Sequence, residues 1–576
     1  MLDTPFFWAH YTLQRIGIRV KRRDFLALTV ASGSSFLHSS LSREREKTKY
    51  KWSPSSLDSK PNIVLILADD LGYSDIGCFG GEIETPNIDR LATNGLRFTH
   101  FYNAARCCPS RASLLTGLYP HQTGVGDMMR DHGLPGYHGD LNQSCLTIAE
   151  VLRTVGYRCY MAGKWHVTRF LPPKGASHNW PIQRGFERCY AMITGAGSYF
   201  WPDTLVQDNI PIEVPAGSFY FTEVIAEKTV SFIREHCKKM PDVPFFIYCS
   251  FTAPHWPLHA LKEDIERFRG KFNRGWDLLR QERYHRMIAM GLIDKRWELT
   301  LREAMVAPWN EAEHKDWQLR RIEVYAAQVY AMDRGIGQIL SELKAQGVFD
   351  NTLIIFLSDN GACHEELTPN WGNYFFQGSE RVARLKTRDG RPVQFFNNPE
   401  IMPGLEDTYQ SYGLAWANLS STPYRGFKCN AYEGGVATPL IIHWPSQIKR
   451  GINHQLGHVI DIMPTLIEVS GAKYPTEFNG RKILGLEGVS LFSAIRGQNI
   501  KRDALFFEHE GNRAVITPQW KLIASGTKGS WELYDREADR TEIRDLAVKY
   551  PVVVNDLAKI WETWAQRTNV LPWPWK

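Results

Sequence analysis

The sequence predicts an α/β fold with a large mixed, mostly parallel sheet sandwiched by helices, followed by a smaller C-terminal antiparallel sheet packed on a helix. Three observations predict it: aliphatic runs of strand length, intervening stretches with apolar residues every three or four positions, and short strand-like pieces after about residue 502. A chain of 576 residues can hold both units, and its 43% hydrophobic content is ordinary for a globular protein. We expect a large domain over residues 61–500 and an α+β subdomain over 501–576.

The first strand is predicted over residues 62–67, where a continuous aliphatic run suits a strand buried on both faces of a sheet. The remaining elements predicted for the large domain are strands over 244–249, 353–357 and 440–443 and helices over 222–236 and 319–345. This alternation of strands and helices is typical of a doubly wound sheet.

The C-terminal elements are shorter and end in one amphipathic helix. The predicted strands are 505–508, 514–516, 521–524 and 532–534, and the predicted helix covers 552–568. Between the two main helices, residues 263–315 are rich in Arg, Trp and Glu, and we expect a helical insertion there, near the rim of the functional site.

The first 60 residues are predicted to be an export signal and a linker. Arg22 and Arg23 precede a mildly apolar run over residues 26–37, a pattern typical of a twin-arginine signal, although a basic tail has a similar composition. Beyond residue 60, no apolar run approaches the roughly 18 residues needed to cross a bilayer. We therefore expect an exported protein, periplasmic or extracellular, without stable membrane association.

Charge and cysteine content argue against two classes of protein. Residues 1–60 hold eleven Lys or Arg and five Asp or Glu, which accounts for the whole net charge of +6, so the folded part has no basic excess for nucleic acid. The ten cysteines are scattered without a CxxC pair, which favours neither a disulfide framework nor a zinc site.

Acidic and amide side chains follow two of the predicted core strands. Asp69 and Asp70 come after the first strand, and Asp359 and Asn360 come after the strand at 353–357. Each pair alone is also typical of helix-capping residues. Ligands gather at the carboxyl ends of parallel strands, and two acidic groups meeting there need a cation between them. Oxygen ligands without His or Cys favour calcium or magnesium over zinc.

The most specific segment is ARCCPSRASLLTG, residues 105–117. It resembles the signature of the sulfatase family, C-x-P-S-R followed by x-x-L-L-T-G. The spacing to the proline selects Cys107, and Cys108 occupies the variable position. Without the other motifs, two buried thiols before a Pro-started helix would be the plainer interpretation.

Further motifs follow in the family's order, and the resemblance covers residues 61–536. They are GKWH with Lys164 and His166, the P-H pair with His255, and TPYRGFKCNAYEGG with Lys428. The chain departs from the family at Cys159, where Ser or Thr is common. It departs again at Ala437, which replaces a frequent Arg and puts a local guanidinium contact in doubt.

The resemblance implies a formylglycine made from Cys107, whose hydrate attacks the sulfur of a sulfate ester. It implies a calcium ion held by Asp69, Asp70, Cys107, Asp359 and Asn360. Lys164 and Lys428 would pair with sulfate oxygens, and Arg111 would orient the hydrate. His255 is the candidate acid for the leaving alcohol, and His166 is the candidate base for the second step.

The implied partners are a sulfated small molecule or glycan and, transiently, the enzyme that generates formylglycine. Two other functions stay open at this point. One is hydrolysis of phosphoric or phosphonic esters, since related enzymes use the same sheet and metal. The other is binding of sulfated glycans without catalysis, with Cys107 unmodified.

Overall fold

The computed structural model describes residues 60–215, 217–376 and 381–575. The export signal predicted around Arg22 and Arg23 lies outside these residues. The strands are β1 (Asn62–Ala68), β2 (Leu96–Phe98), β3 (Phe101–Tyr102), β4 (Arg158–Lys164), β5 (Arg188–Met192), β6 (Leu205–Gln207), β7 (Ile210–Pro211), β8 (Phe245–Ser250), β9 (Thr352–Ser358), β10 (Gln394–Phe395), β11 (Thr408–Tyr409), β12 (Leu440–His443), β13 (Gly451–Asn453), β14 (Gly457–His458), β15 (Glu477–Phe478), β16 (Arg481–Lys482), β17 (Leu505–His509), β18 (Asn512–Ile516), β19 (Trp520–Ala524) and β20 (Glu532–Asp535).

The helices range from one turn to more than eight. They are α1 (Pro86–Thr93), α2 (Cys107–Thr116), α3 (Pro120–Thr123), α4 (Ile148–Arg153), α5 (Phe221–Lys239), α6 (Lys262–Phe268), α7 (Gly275–Ala289), α8 (Lys315–Ala345), α9 (Gly372–Phe376), α10 (Gly413–Ser420), α11 (Glu433–Val436), α12 (Ile462–Ser470), α13 (Phe492–Ile495) and α14 (Pro551–Arg567). No helix in the described ranges is long and apolar enough to cross a membrane.

A ten-stranded sheet forms the centre of the molecule, with the order β13-β2-β12-β9-β1-β8-β4-β5-β6-β7. The central run β9-β1-β8-β4-β5 is parallel. The predicted strand 440–443 is present as β12, but it runs antiparallel to β9. The prediction of a mixed, mostly parallel sheet is confirmed.

Both faces of the central strands are covered. Residues of β1 alternate between the two faces, and every one after Asn62 is buried. Helix α5 packs against β4 and β8 and also against α8. Helix α4 packs against β4 as well. The continuous aliphatic runs seen in the sequence are therefore strands of a sheet that has no solvent-facing side at its centre.

The C-terminal sheet has four antiparallel strands in the order β17-β18-β19-β20, and α14 packs on it through Trp561 and Trp564. This confirms the predicted small sheet with one helix. A buried ion pair joins it to the large domain, where Lys521 Nζ on β19 lies 3.1 Å from Glu433 Oε1 at the start of α11. Glu542, within the C-terminal region, lies 2.6 Å from the same Lys521 Nζ through Oε1.

The Arg- and Trp-rich segment 263–315 contains the helices α6 and α7, as predicted, but its predicted place is wrong. No residue of this segment lines the cavity around Cys107. Instead Arg283 of α7 is buried against Asp75, at 2.9 Å, and Trp276 packs edge-on against Trp416. Arg283 and Trp276 of this segment therefore help to cover the core.

Candidate active site

The four predicted oxygen ligands meet at one edge of the sheet, because β1 and β9 are adjacent and parallel and Ala68 pairs with Ser358. The backbone N–H of Asp70 donates to Asp359 Oδ1 at 3.2 Å, and Asn360 Nδ2 donates to Asp70 Oδ1 at 2.6 Å. All four side chains are buried. Asp70 has a φ of 64°, in the left-handed region that non-glycine residues adopt at a cost.

Three cations lie against these carboxylates. Lys164 Nζ, from the end of β4, donates to Asp69 Oδ2 at 2.6 Å, and Lys428 Nζ donates to Asp70 Oδ2 at 2.9 Å. Arg111, from α2, reaches the third carboxylate.

The Arg111 guanidinium lies 2.7 Å from Asp359 Oδ2 and 3.5 Å from Asp69 Oδ1, and it donates to Ser250 Oγ at 2.6 Å. Each buried charge therefore has a partner of opposite sign, which low-dielectric surroundings require.

The pKa values of the two neighbouring carboxyls move in opposite directions. Burial raises the pKa of Asp69 well above its usual value, against the opposing effect of Lys164, and Asp359 raises it further. Burial also acts to raise the pKa of Asp70, but Lys428 and His255 lower it below its usual value. The two neighbouring carboxyls thus sit in electrostatically different surroundings, Asp69 governed by burial and Asp70 by its cationic neighbours.

Two oxygens at this edge have no hydrogen-bond donor. Asp69 Oδ1 and Asn360 Oδ1 are buried and accept no hydrogen bond, although most buried polar atoms do. A hard divalent cation with oxygen ligands satisfies such atoms, so the residues present fit calcium or magnesium. Asp69, Asp70 and His255 also offer ligand atoms within 4.8 Å of one another.

Cys107 is the first residue of α2, and its helix is buried along its whole length. The thiol is 2% exposed but lines the cavity at this edge. A hydrogen bond with Cys108 lowers the pKa of Cys107 well below its usual value, burial opposes this, and Lys164 and His166 lower it further. A thiolate-like group is therefore favoured where the family signature predicts the modified residue.

The two histidines approach from different loops. His255 Nε2 lies 3.4 Å from Asp70 Oδ2 and 3.4 Å from Lys428 Nζ, and burial lowers its pKa to about 3. His166 has a φ of 52°, and its ring lies against Gly195, where a Cβ would come within 2.4 Å of the ring. Glycine at 195 is required by this close approach.

The cavity over these groups has a volume of about 430 Å³. Its lining residues come from all parts of the chain: Arg106, Cys107, Asp127, Met128, Arg130, His132, His166, Gly195, Ala196, His255, Trp256, Asn370, Trp371, Tyr374, Lys428 and Glu510. A larger cavity of about 610 Å³ near His100, Trp297 and Arg536 shares none of these residues. The smaller cavity is the candidate site, because Cys107, Lys428 and the two predicted histidines line it.

Glu365 was missed by the sequence reasoning. It lies 3.4 Å from Lys428 Nζ and 3.1 Å from Arg106 Nη1, and it accepts from Trp256 Nε1 at 2.6 Å. Burial would raise the pKa of Glu365, but Lys428 and Arg106 lower it below its usual value. Its position six residues after Asp359, in a polar stretch beyond a core strand, is a signal that sequence reading could have used.

The structure thus brings all the predicted site residues together. Buried cations beside a nucleophile position suit an anionic substrate, because they stabilise negative charge that develops on it. The two oxygens without a hydrogen-bond partner, Asp69 Oδ1 and Asn360 Oδ1, suit a bound cation at the same edge.

Comparisons with known proteins agree with this geometry. The model of the Sulfatase family matches residues 61–472, and that of the C-terminal region of N-sulphoglucosamine sulphohydrolase matches residues 427–564. An uncharacterised sulfatase of Schizosaccharomyces pombe is 34% identical over 89% of this chain and 95% of its own length. The arylsulfatase of Klebsiella aerogenes is 33% identical over 75% of this chain and 91% of its own length.

Solved structures extend the likeness to the fold. The structure of Ps i-CgsB in complex with k-i-k-neocarrahexaose is 25% identical, with a TM-score of 0.62, over 89% of this chain and 94% of that one. The structure of BT4656 with D-glucosamine-2-N,6-O-disulfate is 22% identical, with a TM-score of 0.56, over 90% of this chain and the whole of that one.

Proposed function

This chain belongs to the sulfatase family and is a sulfuric ester hydrolase, and on that premise we propose that its nucleophile is a formylglycine hydrate made from Cys107. In this proposal one hydroxyl of the hydrate attacks the ester sulfur and the alcohol leaves, so that residue 107 carries the sulfate. The second hydroxyl then loses its proton and expels inorganic sulfate, which regenerates the aldehyde. A serine at this position would lack the second hydroxyl.

The observation that carries the proposal is the position of Cys107. Cys107 is the first residue of α2 and lines the cavity. A hydrogen bond with Cys108 lowers the pKa of Cys107, and nearby Lys164 and His166 lower it further. Cys108, its neighbour, is fully buried and does not line the cavity. The modified residue would thus face the substrate, and the variable one would not.

We propose calcium at the acidic edge, with magnesium as the alternative. Asp69, Asp70, Asp359, Asn360 and residue 107 would hold the ion. When bound, it supplies positive charge that favours an ionised hydrate and neutralises a sulfate oxygen. The support is the pair of unsatisfied oxygens on Asp69 and Asn360.

The cations of the chain orient the ester. Lys164 and Lys428 flank the acidic edge, each held by one Asp carboxylate, and we propose that both also pair with sulfate oxygens. Arg111 is held by Asp359 and Ser250 and would orient the hydrate rather than move. Such fixed donors need no reorganisation as charge develops on the sulfate.

The proton transfers are assigned to the two histidines. His255 would protonate the leaving alcohol, and His166 would take the proton from the second hydroxyl. The pKa of His255 is about 3 in the protein alone, because the ring is buried. A sulfate ester beside the ring adds negative charge and raises that pKa toward the value an acid needs.

We propose carbohydrate sulfates as the natural substrates, with aryl sulfates as test compounds. Trp256, Trp371 and Tyr374 form one wall of the cavity, and aromatic faces suit sugar rings. The two related structures described above contain a carrahexaose and a disulfated glucosamine. Hydrolysis of phosphoric or phosphonic esters is the competing activity, and aryl sulfate and aryl phosphate assayed in parallel separate the two by relative rate.

We also propose that the protein is exported, as its twin-arginine pattern predicts. Because that route carries folded proteins, the conversion of Cys107 must then precede export.

Mass spectrometry of the peptide that contains residue 107 tests the central proposal. In active protein we expect the mass of the aldehyde or its hydrate. An intact thiol in protein that turns over would contradict the mechanism. Sulfate release from a panel of sulfated sugars and aryl esters then identifies the substrate class.

A further inference from the structure

A second group of metal-ligating side chains lies beside the catalytic cavity and takes no part in the proposed chemistry. Cys429, His509 and Glu510 each offer one ligand atom, and these atoms lie within 4.8 Å of one another. Cys429 follows Lys428, whereas His509 and Glu510 lie at the end of β17 and in the turn to β18. From this group we propose a zinc site that joins the C-terminal sheet to the loop carrying Lys428.

The ligand types favour zinc over the hard cation proposed for the acidic edge. Thiolate, imidazole and carboxylate are common zinc ligands, and Cys and His in particular disfavour calcium and magnesium. With bonds of about 2.0–2.3 Å, tetrahedral zinc places its ligand atoms about 3.3–3.7 Å apart. His509 Nε2 and Glu510 Oε1 are already 3.9 Å apart. Small side-chain rotations therefore suffice to close the site.

His509 provides a second, independent observation. Its side chain is fully buried, yet neither Nδ1 nor Nε2 has a hydrogen-bond partner. A buried imidazole without partners is costly, and metal binding satisfies one of its nitrogens. Burial lowers the pKa of His509, but its contact with Cys429 and the charge of Glu510 raise it to about 9.

The thiol of Cys429 already has one polar partner. Arg106 Nη1 donates to Cys429 Sγ at 2.5 Å. The Arg106 guanidinium can keep this contact as an outer hydrogen bond to a bound thiolate. It is itself held by Glu365 at 3.1 Å.

The two chain segments are also held together without the metal. The backbone N–H of Cys429 donates to Ala105 O at 2.8 Å, and Asn512 Nδ2 donates to Cys429 O at 3.1 Å. The ligands are therefore preorganised. Because Arg106 and Glu510 both line the catalytic cavity, a zinc ion here lies at the wall of that cavity.

The test is a zinc titration of the purified full chain, stripped of transition metals and kept in excess calcium, in competition with a chromophoric chelator. We expect Cys429→Ser to lose one equivalent of tightly bound Zn²⁺ and Glu510→Gln to bind it roughly 10- to 100-fold more weakly. Affinity in the parent should rise with pH, because zinc binds the deprotonated forms of cysteine and histidine side chains. Cys237→Ser, which changes a half-buried cysteine of α5, is the matched control and should bind as the parent does.

Co²⁺ provides the second measurement. We expect a thiolate-to-cobalt charge-transfer band in the parent and in Cys237→Ser, and its loss in Cys429→Ser. Equal zinc stoichiometry and affinity in the parent and Cys429→Ser would overturn the proposal, as would a parent that binds no zinc. Neither measurement uses turnover, so this outcome is separate from that of the sulfatase mechanism. The variant Cys429→Ser keeps a hydrogen-bond acceptor for Arg106, so loss of fold is not expected.

Discussion

Lys428 Nζ lies 2.9 Å from Asp70 Oδ2, and both side chains are 1% exposed. The lysine serves two needs at this position. It neutralises a carboxylate that is proposed to hold the metal, and we propose that it also pairs with a sulfate oxygen. Burial lowers the pKa of Lys428, but Asp70, Cys363 and Glu365 raise it well above its usual value, so it stays charged.

We predict that Lys428→Met lowers kcat on the order of 100- to 1,000-fold, the usual effect of removing one transition-state donor. It should also lower the free energy of unfolding by about 3–5 kcal/mol, because Asp70 is left as an unpaired buried charge. Steady-state kinetics and denaturant unfolding measure the two effects. The surface variant Lys174→Met is the control, and a kcat within twofold of the parent for Lys428→Met would refute the assignment.

Cys107 and Cys108 offer a matched pair. We predict that Cys107→Ala abolishes sulfate release while Cys108→Ala retains most of it, because the proposed nucleophile is made from residue 107 alone. Both thiols are buried, so the two variants should lose similar, small amounts of stability. Sulfate release and thermal unfolding are the measurements. Equal loss of activity in both variants would mean that the pair acts through packing and not through a nucleophile.

Much of the site could be predicted because its parts are encoded locally. Asp69 and Asp359 each follow a continuous aliphatic run, and such runs predict buried strands. That the two strands are adjacent and parallel is not local information. We expected the two strand ends to meet because ligands gather at the carboxyl ends of parallel strands. In the structure the two strands are adjacent, and Ala68 pairs with Ser358.

The parts that could not be predicted depend on tertiary contacts. The aliphatic run of a buried strand does not indicate the direction of the strand. The antiparallel orientation of β12 was therefore not predictable from the sequence. Glu510 reaches the cavity from the turn after β17, far along the chain from Cys107. The segment 263–315 was placed at the rim by composition alone, although Arg and Trp can cover a core as Arg283 and Trp276 do here.

The unsatisfied oxygens of Asp69 and Asn360 predict a measurable effect of calcium. Removal of calcium by a chelator should lower the unfolding temperature. Calcium added at 100 times its dissociation constant should raise the free energy of unfolding of the metal-free protein by about 2.7 kcal/mol. Asn360→Leu removes one ligand oxygen at similar volume and should abolish the response. Asn273→Leu, on an exposed segment, should keep it. If neither the chelator nor added calcium changes the unfolding temperature, the proposed calcium site is contradicted.

The aromatic wall predicts which substrates depend on it. Trp371→Ala should raise KM for a sulfated oligosaccharide about tenfold with little change in kcat, because the ring contacts parts of the substrate that do not react. A small aryl sulfate should be less affected. Trp520→Ala, in the C-terminal sheet, is the control. An equal effect on both substrates would indicate a packing role for Trp371 instead.

His259 predicts a loss of stability in mild acid. Burial lowers its pKa to about 4, although a hydrogen bond to Thr408 opposes this. The backbone N–H of Tyr199 donates to Nδ1 at 3.3 Å, and Nε2 lies 2.6 Å from Thr408 O, so the neutral ring has a partner on each side. Protonation of Nδ1 would set two donors against each other.

The sign of the pH effect follows from this arrangement. The pKa of His259 is about 4 in the folded chain and about 6.5 in the unfolded chain, so between these values the unfolded chain binds more protons. Stability therefore falls as pH drops below 6.5, by about 2 kcal/mol at pH 5 from this residue. His259→Gln should reduce the pH dependence of the free energy of unfolding, measured between pH 7 and 5, whereas the exposed His285→Gln should not. An unchanged slope in His259→Gln would show that other groups carry the acid sensitivity.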